Sequence, residues 1–140
     1  MISLQTLLVL LSLAFLITAA PTDIQSLDAR SPGEITARAT GQFTWYYTGL
    51  GACGKVNSDG QLVAALNRAT FDPKTPNGNP NRNTLCGRKI RLSYQGKSVD
   101  VTVVDRCAGC GPNDVDLSPA AFKRFAPLVK GRITGSWRWI

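Results

Sequence analysis

The chain has 140 residues, with 16 Lys and Arg against 9 Asp and Glu, no histidine, and a formal net charge of +7. The missing histidine excludes Ser-His-Asp and Cys-His nucleophile systems and histidine-bound zinc, and neither standard Gly-rich phosphate loop is present. The one glutamate, Glu34, lies outside the part read as folded, so any carboxylate chemistry must use aspartates.

Residues 1–20, MISLQTLLVLLSLAFLITAA, carry no charged side chain and end in small residues. They read as a secretory signal peptide cut near Ala19 or Ala20. The apolar run from Leu7 to Ile17 is shorter than the roughly 20 residues a membrane span needs, so secretion is expected and membrane association is not. Residues 21–40 have no aromatics and little apolar periodicity, and are expected to be a flexible tail or a pro-segment cut after Arg30 or Arg38. Two arginines there face Asp23, Asp28 and Glu34, which leaves +8 on residues 41–140. That excess suits acidic partners such as uronic-acid polymers or anionic wall material, and serves solubility equally well. Nucleic acid is not expected as a partner, because no recognition helix or basic run is present.

The domain of residues 41–140 is small enough that covalent staples would help it fold. Cys53, Cys86, Cys107 and Cys110 all lie within it. An even count in an exported chain points to two disulfides rather than a four-cysteine zinc site, with three pairings open. No metal and no cofactor is expected.

Phe43 to Thr48 is rich in aromatic and β-branched residues and predicts a strand, with Phe43, Trp45 and Tyr47 on one face and Tyr46 on the other. Leu62 to Leu66 is an apolar run that periodicity cannot assign to helix or buried strand; Asn67 could cap a turn after it. Asp72 to Thr84 is a Pro/Asn/Gly loop, which a Cys53–Cys86 bond would pin. Ile90, Leu92 and Tyr94 alternate with polar residues, Gln95-Gly96 makes a turn, and Val99, Val101 and Val103 alternate in their turn: a β-hairpin with one buried face. Asp105 shares the valines' parity and is expected to point inward at the strand's end; Asp100 points outward. Ser118 as N-cap with Pro119 behind it predicts a helix start, with Phe122 and Phe125 on one face. Ile133, Trp137 and Trp139 share parity on a final strand. Short strands with one or two short helices indicate a small β-barrel or α+β domain.

Asp105 and Asp116 flank the CAGC turn of Cys107 to Cys110. Two acids astride a substrate would suit glycosidic-bond chemistry. Both could equally serve turns or a helix N-terminus. Trp45, Tyr46 and Tyr47 could stack on sugar or fill the core.

TWYYTGLGACG, VAALN, CGRKIRL, VTVVDRCAGCGPNDVDLSPAAFKRFA and GRITGSWRWI together resemble the RlpA-like double-psi β-barrel family, with the nearest likeness to fungal single-domain expansin-like proteins, the loosenins. The resemblance implies a six-stranded double-psi β-barrel and a polysaccharide groove holding Asp116, Asp105 and a threonine best matched by Thr48. It also implies Cys53–Cys86 and Cys107–Cys110 disulfides. Expansins lack the second catalytic base of their hydrolytic relatives, and no substitute base stands out here. The expectation is therefore a secreted monomer that binds cell-wall polysaccharide, possibly anionic, and loosens it without net hydrolysis, with Trp45, Tyr46 and Tyr47 as sugar contacts. A glycan-cleaving lytic transglycosylase or hydrolase, and a barwin-like binding protein or protease inhibitor, are the alternatives.

Overall fold

The structure, a computed structural model, describes residues 37–140; the expected signal peptide and residues 21–36 lie outside the described residues. Six strands close into a barrel: β1 (Ala39–Trp45), β2 (Val63–Asn67), β3 (Lys89–Tyr94), β4 (Lys97–Cys107), β5 (Val115–Leu117) and β6 (Ile133–Trp139). Their order around the barrel is β1-β5-β2-β4-β3-β6, with β1–β5 and β2–β4 parallel and the other four pairs antiparallel. Two short helices, α1 (Arg68–Phe71) and α2 (Pro119–Lys123), complete a mainly β fold.

The local sequence accounts for most of these elements. Gln95 and Gly96 both take positive φ, 45° and 77°, the two-residue mirror-image turn whose twist matches paired strands. It sets the β3–β4 register, with Ile90 and Leu92 opposite Val101 and Val99. The run VAALN is a strand, not a helix: all five residues are buried, and β2 pairs on both sides, with β4 and β5. A doubly paired strand reads as a continuous apolar run because little of it meets water. Asn67 ends β2 and caps α1, its Oδ1 accepting from Thr70 N at 2.9 Å. Ser118 caps α2 through Ala121 N, and Phe122 and Phe125 are both buried beneath it.

The barrel interior holds Phe43, Leu66, Ile90, Leu92, Val103 and Leu117, all essentially inaccessible to solvent. Two disulfides, Cys53–Cys86 and Cys107–Cys110, pin the outer loops. The Asp72 to Thr84 excursion folds into three single turns of 3-10 helix, each with a proline near its start. Buried Asn83 ties it down, donating to Phe71 O and Thr75 Oγ1 and accepting from Leu85 N at 2.7–2.8 Å.

Two expectations change. The first strand runs Ala39–Trp45 rather than Phe43 to Thr48, because its pairing with β6 begins at Ala39↔Trp137; the barrel therefore starts two residues ahead of Gly41. Asp105 does not continue the inward parity of the valines. Along β2–β4 the partners step from Ala64↔Val103 to Ala65↔Asp105, with Val104 extra. One added residue in a ladder reverses the facing of everything after it, so Asp105 lies on the same face as Ala65.

Candidate functional site

That bulge assembles a continuous row of side chains. Thr44 on β1 pairs with Asp116 on β5, Asp116 with Ala65 on β2, and Ala65 with Asp105 on β4. Their chain neighbours Phe43, Val115, Leu117, Ala64 and Leu66 fill the core, so the row faces outward. It floors an open trough of about 480 Å³, bordered by Tyr46, the Cys107–Cys110 turn and Arg132. Two strand spacings separate the aspartates, placing their Cα atoms about 10 Å apart, with the small Ala65 between them.

Each acid is held differently. Asp116 Oδ1 accepts from Thr44 Oγ1 at 2.6 Å. Burial holds the Asp116 carboxyl above its ordinary value of 3.8; the Thr44 hydrogen bond works against that, the negative charge of Asp105 adds to it, and Arg132 opposes it. Asp105 Oδ1 accepts two backbone hydrogen bonds, from Ala52 N and Arg106 N, both 2.7 Å. The loop carrying Ala52 also clasps the bulge, with Cys53 N donating to Val104 O at 3.2 Å. Gly51 permits this approach, since a Cβ there would stand 2.5 Å from Val104 O. Tyr46 lies just past β1, its N donating to Leu117 O at 2.9 Å. Burial, the charges of Asp105 and Asp116, and a hydrogen bond to Asp105 hold its phenol protonated well above the usual tyrosine range. The trough thus offers a carboxyl biased toward its protonated form, a fixed acceptor and a phenol.

The structure brings Asp105, Asp116 and Tyr46 together. Thr48 is elsewhere: its N and Oγ1 donate to Asp59 Oδ1 at 2.7 and 2.9 Å, and its Oγ1 reaches Asn57 O. The threonine on Asp116 is Thr44, four residues earlier. The signal that could have found it was parity, because Thr44 alternates with Phe43 and Trp45 and shares the face of Tyr46. Trp45 forms part of the trough wall and packs on the core, its Nε1 donating to Leu128 O at 2.9 Å. Tyr47 is 72% exposed and stands edge-on to Trp45 at 5.3 Å, in a depression with Asp59 and Lys123 rather than in the trough. Asp114 serves the turn, accepting from Gln42 N at 2.7 Å and Gly111 N at 3.0 Å. Among the described residues no group of three or more His, Cys, Asp or Glu could hold a metal ion.

Residues 38–137 match the family model described as lytic transglycolase, a double-psi β-barrel family. The papain inhibitor of Streptomyces mobaraensis is 36% identical over 110 residues, covering 76% of this chain and 74% of that protein. The solved structure of the Streptomyces papain inhibitor superposes with a TM-score of 0.68 at 37% identity, over 74% of this chain and 94% of that one. The allergen Asp f 7 homolog of Arthroderma benhamiae is 38% identical over 87 residues, which is 61% of this chain and 28% of that protein. In fold alone, the chain is similar to a Clavibacter michiganensis expansin solved in complex with cellohexaose, with a TM-score of 0.60 and 22% identity over 74% of this chain and 50% of that one. The closed six-stranded barrel and the match across residues 38–137 agree: this chain belongs to the double-psi β-barrel family.

Proposed function

We propose that this is a secreted, expansin-like protein of the loosenin type, which binds a cell-wall polysaccharide such as cellulose or chitin in the trough and loosens it without net hydrolysis. The observation that carries this reading is the Thr44–Asp116–Ala65–Asp105 row, in which half-buried Thr44, Asp116 and Asp105 line one open trough over buried Ala65, with Asp116 biased toward its protonated form. A protonated Asp116 donates to a glycan oxygen. Thr44 fixes its orientation, and Asp105, anchored by two amides, accepts from a sugar hydroxyl. Tyr46 supplies a further donor and an aromatic edge. Each of these bonds competes with a chain-to-chain hydrogen bond in the wall, which is how binding loosens it. Cellohexaose in the expansin complex supports a glycan as ligand, and two disulfides support an oxidising, extracellular setting.

The test incubates the pure protein with cellulose, chitin, xylan, pectin and peptidoglycan, scoring pull-down, weakening of the solid and soluble sugar. Binding and weakening without soluble products, both reduced in Asp116→Ala, which removes the donor, are expected. Soluble products abolished by the same change would instead select a lytic transglycosylase or hydrolase.

A second reading has its own observation: the papain inhibitor that is 36% identical over 74% of its length. On this reading the barrel occupies the cleft of a papain-type protease. Tight inhibition of papain that is indifferent to Asp105→Asn and Asp116→Asn would favour it over the trough.

A further inference from the structure

A second cleft lies on the other side of the loop that holds Asp105. Ala52 of that loop bonds Asp105, while the next residue, Cys53, lines a cavity of about 540 Å³ together with Lys55, Asn57, Asn81, Arg82 and Cys86. This volume is within the range of small-ligand sites, about 300–1,000 Å³. Its chemistry is the reverse of the trough's. No Asp or Glu lines it, and two cations, Lys55 and Arg82, stand at it. Neither forms a salt bridge with any of the described acids, whereas Arg91 and Arg106 are spent on Asp100 and Asp72. The carboxamides of Asn81 and Gln61 supply neutral polar groups, and Asn57 Nδ2 steadies Gln61 by donating to its Oε1 at 3.1 Å. The Cys53–Cys86 bond joins the two walls, so the cleft is preformed and little ordering opposes binding.

We propose that this cleft is a second, anionic-sugar site, which takes a hexuronic acid unit of an acidic polysaccharide. The carboxylate sits between Lys55 and Arg82, and the ring hydroxyls meet the carboxamides. A sugar acid is preferred to an acidic peptide because the polar lining is mostly carboxamide, which suits many hydroxyls around one charge. The site goes beyond the trough and does not depend on Asp116.

The experiment titrates the 15N-labelled full chain with oligogalacturonate, with neutral cello-oligosaccharide and with a poly-glutamate peptide. Oligogalacturonate is expected to shift the backbone amides of residues 53–57 and 81–87. In Lys55→Ala/Arg82→Ala its affinity is expected to fall at least tenfold, with no such loss in the charge-matched control Lys97→Ala/Lys130→Ala and substantial retention in Lys55→Arg/Arg82→Lys. Equal weakening in the control pair would show diffuse charge attraction and overturn the site. So would shifts confined to the trough, or equal binding of poly-glutamate at the same amides. An unchanged hairpin and barrel spectrum in the double variant establishes that it is folded.

Discussion

Asp116 is the residue on which the proposed glycan binding turns, and its protonation makes a signed prediction. Its folded value is raised above 3.8 by burial first of all, so the native state binds that proton more tightly than the unfolded chain does. Stability from this group is fully present below the ordinary carboxylate range and is lost as pH rises through the raised value. Asp116→Asn removes the group from that titration. The variant is therefore expected to gain stability relative to wild type as pH climbs through this window, in thermal melts at stepped pH. Glycan binding by the wild type should fall over the same rise, because the donor is lost, and binding by the variant, whose Nδ2–H stays a donor at every pH, should stay flat. Thr44→Val deletes a 2.6 Å bond that favours the carboxylate. The fall in binding should then move to higher pH, and affinity should weaken about three- to tenfold, the equivalent of one hydrogen bond. Both acids were legible in the sequence as candidates, from residue type and the block around CAGC. Thr44 was not: a threonine's partner is set by cross-strand register, and the resemblance pointed to Thr48, which lies beyond the β1–β5 pairing that ends at Trp45.

At the scale of elements, the hairpin, the Ser118 cap and the final strand follow from local signals that tertiary contacts reinforce. The bulge at Val104 does not. Four positions of one parity, Val99, Val101, Val103 and Asp105, read as one unbroken strand, and the extra residue shows only through the parallel partner β2, which is remote in sequence. The glycine that accommodates the bulge gives the corresponding prediction. Gly51→Ala would set a Cβ 2.5 Å from Val104 O and 3.3 Å from the Asp105 carboxyl carbon, an overpacking cost of about 1–3 kcal/mol. Denaturant unfolding should register the loss, and Asp105-dependent glycan binding should weaken with it. The two disulfides should differ in the same assay. Their loops span sequence separations of 33 and 3 residues, so the chain-entropy model assigns about 4 kcal/mol to Cys53–Cys86 and about 2 kcal/mol to Cys107–Cys110. Replacing the first pair by alanine should cost the more stability. Replacing the second should alter the trough, which that turn borders, more than the melting temperature.

For the whole molecule, the barrel gathers opposite chemistries on either side of one loop: an acidic trough, proposed to take neutral sugar through hydrogen bonds, and a basic cleft, proposed to take a charged one. The fold was legible because a long, ordered block of residues spans the β4–β5–α2 segment. Which surface binds what was not, because charge counts add up over the chain and say nothing of where each side chain stands. The two surfaces should separate by ionic strength. Binding of neutral oligosaccharide should change little between low and high salt, whereas binding of acidic polysaccharide should collapse as the Debye length shrinks from about 30 Å at 0.01 M to about 3 Å at 1 M. Pull-downs across a salt series check this.

The most direct measurement is an amide-resolved titration of wild type and Asp116→Ala with a cello- or chito-oligosaccharide. Shifts centred on Thr44, Tyr46, Ala65, Asp105 and Asp116 are expected, with an affinity about tenfold weaker in the variant, which lacks the donor. Shifts centred on another face, or the same affinity in both proteins, would contradict binding in the trough.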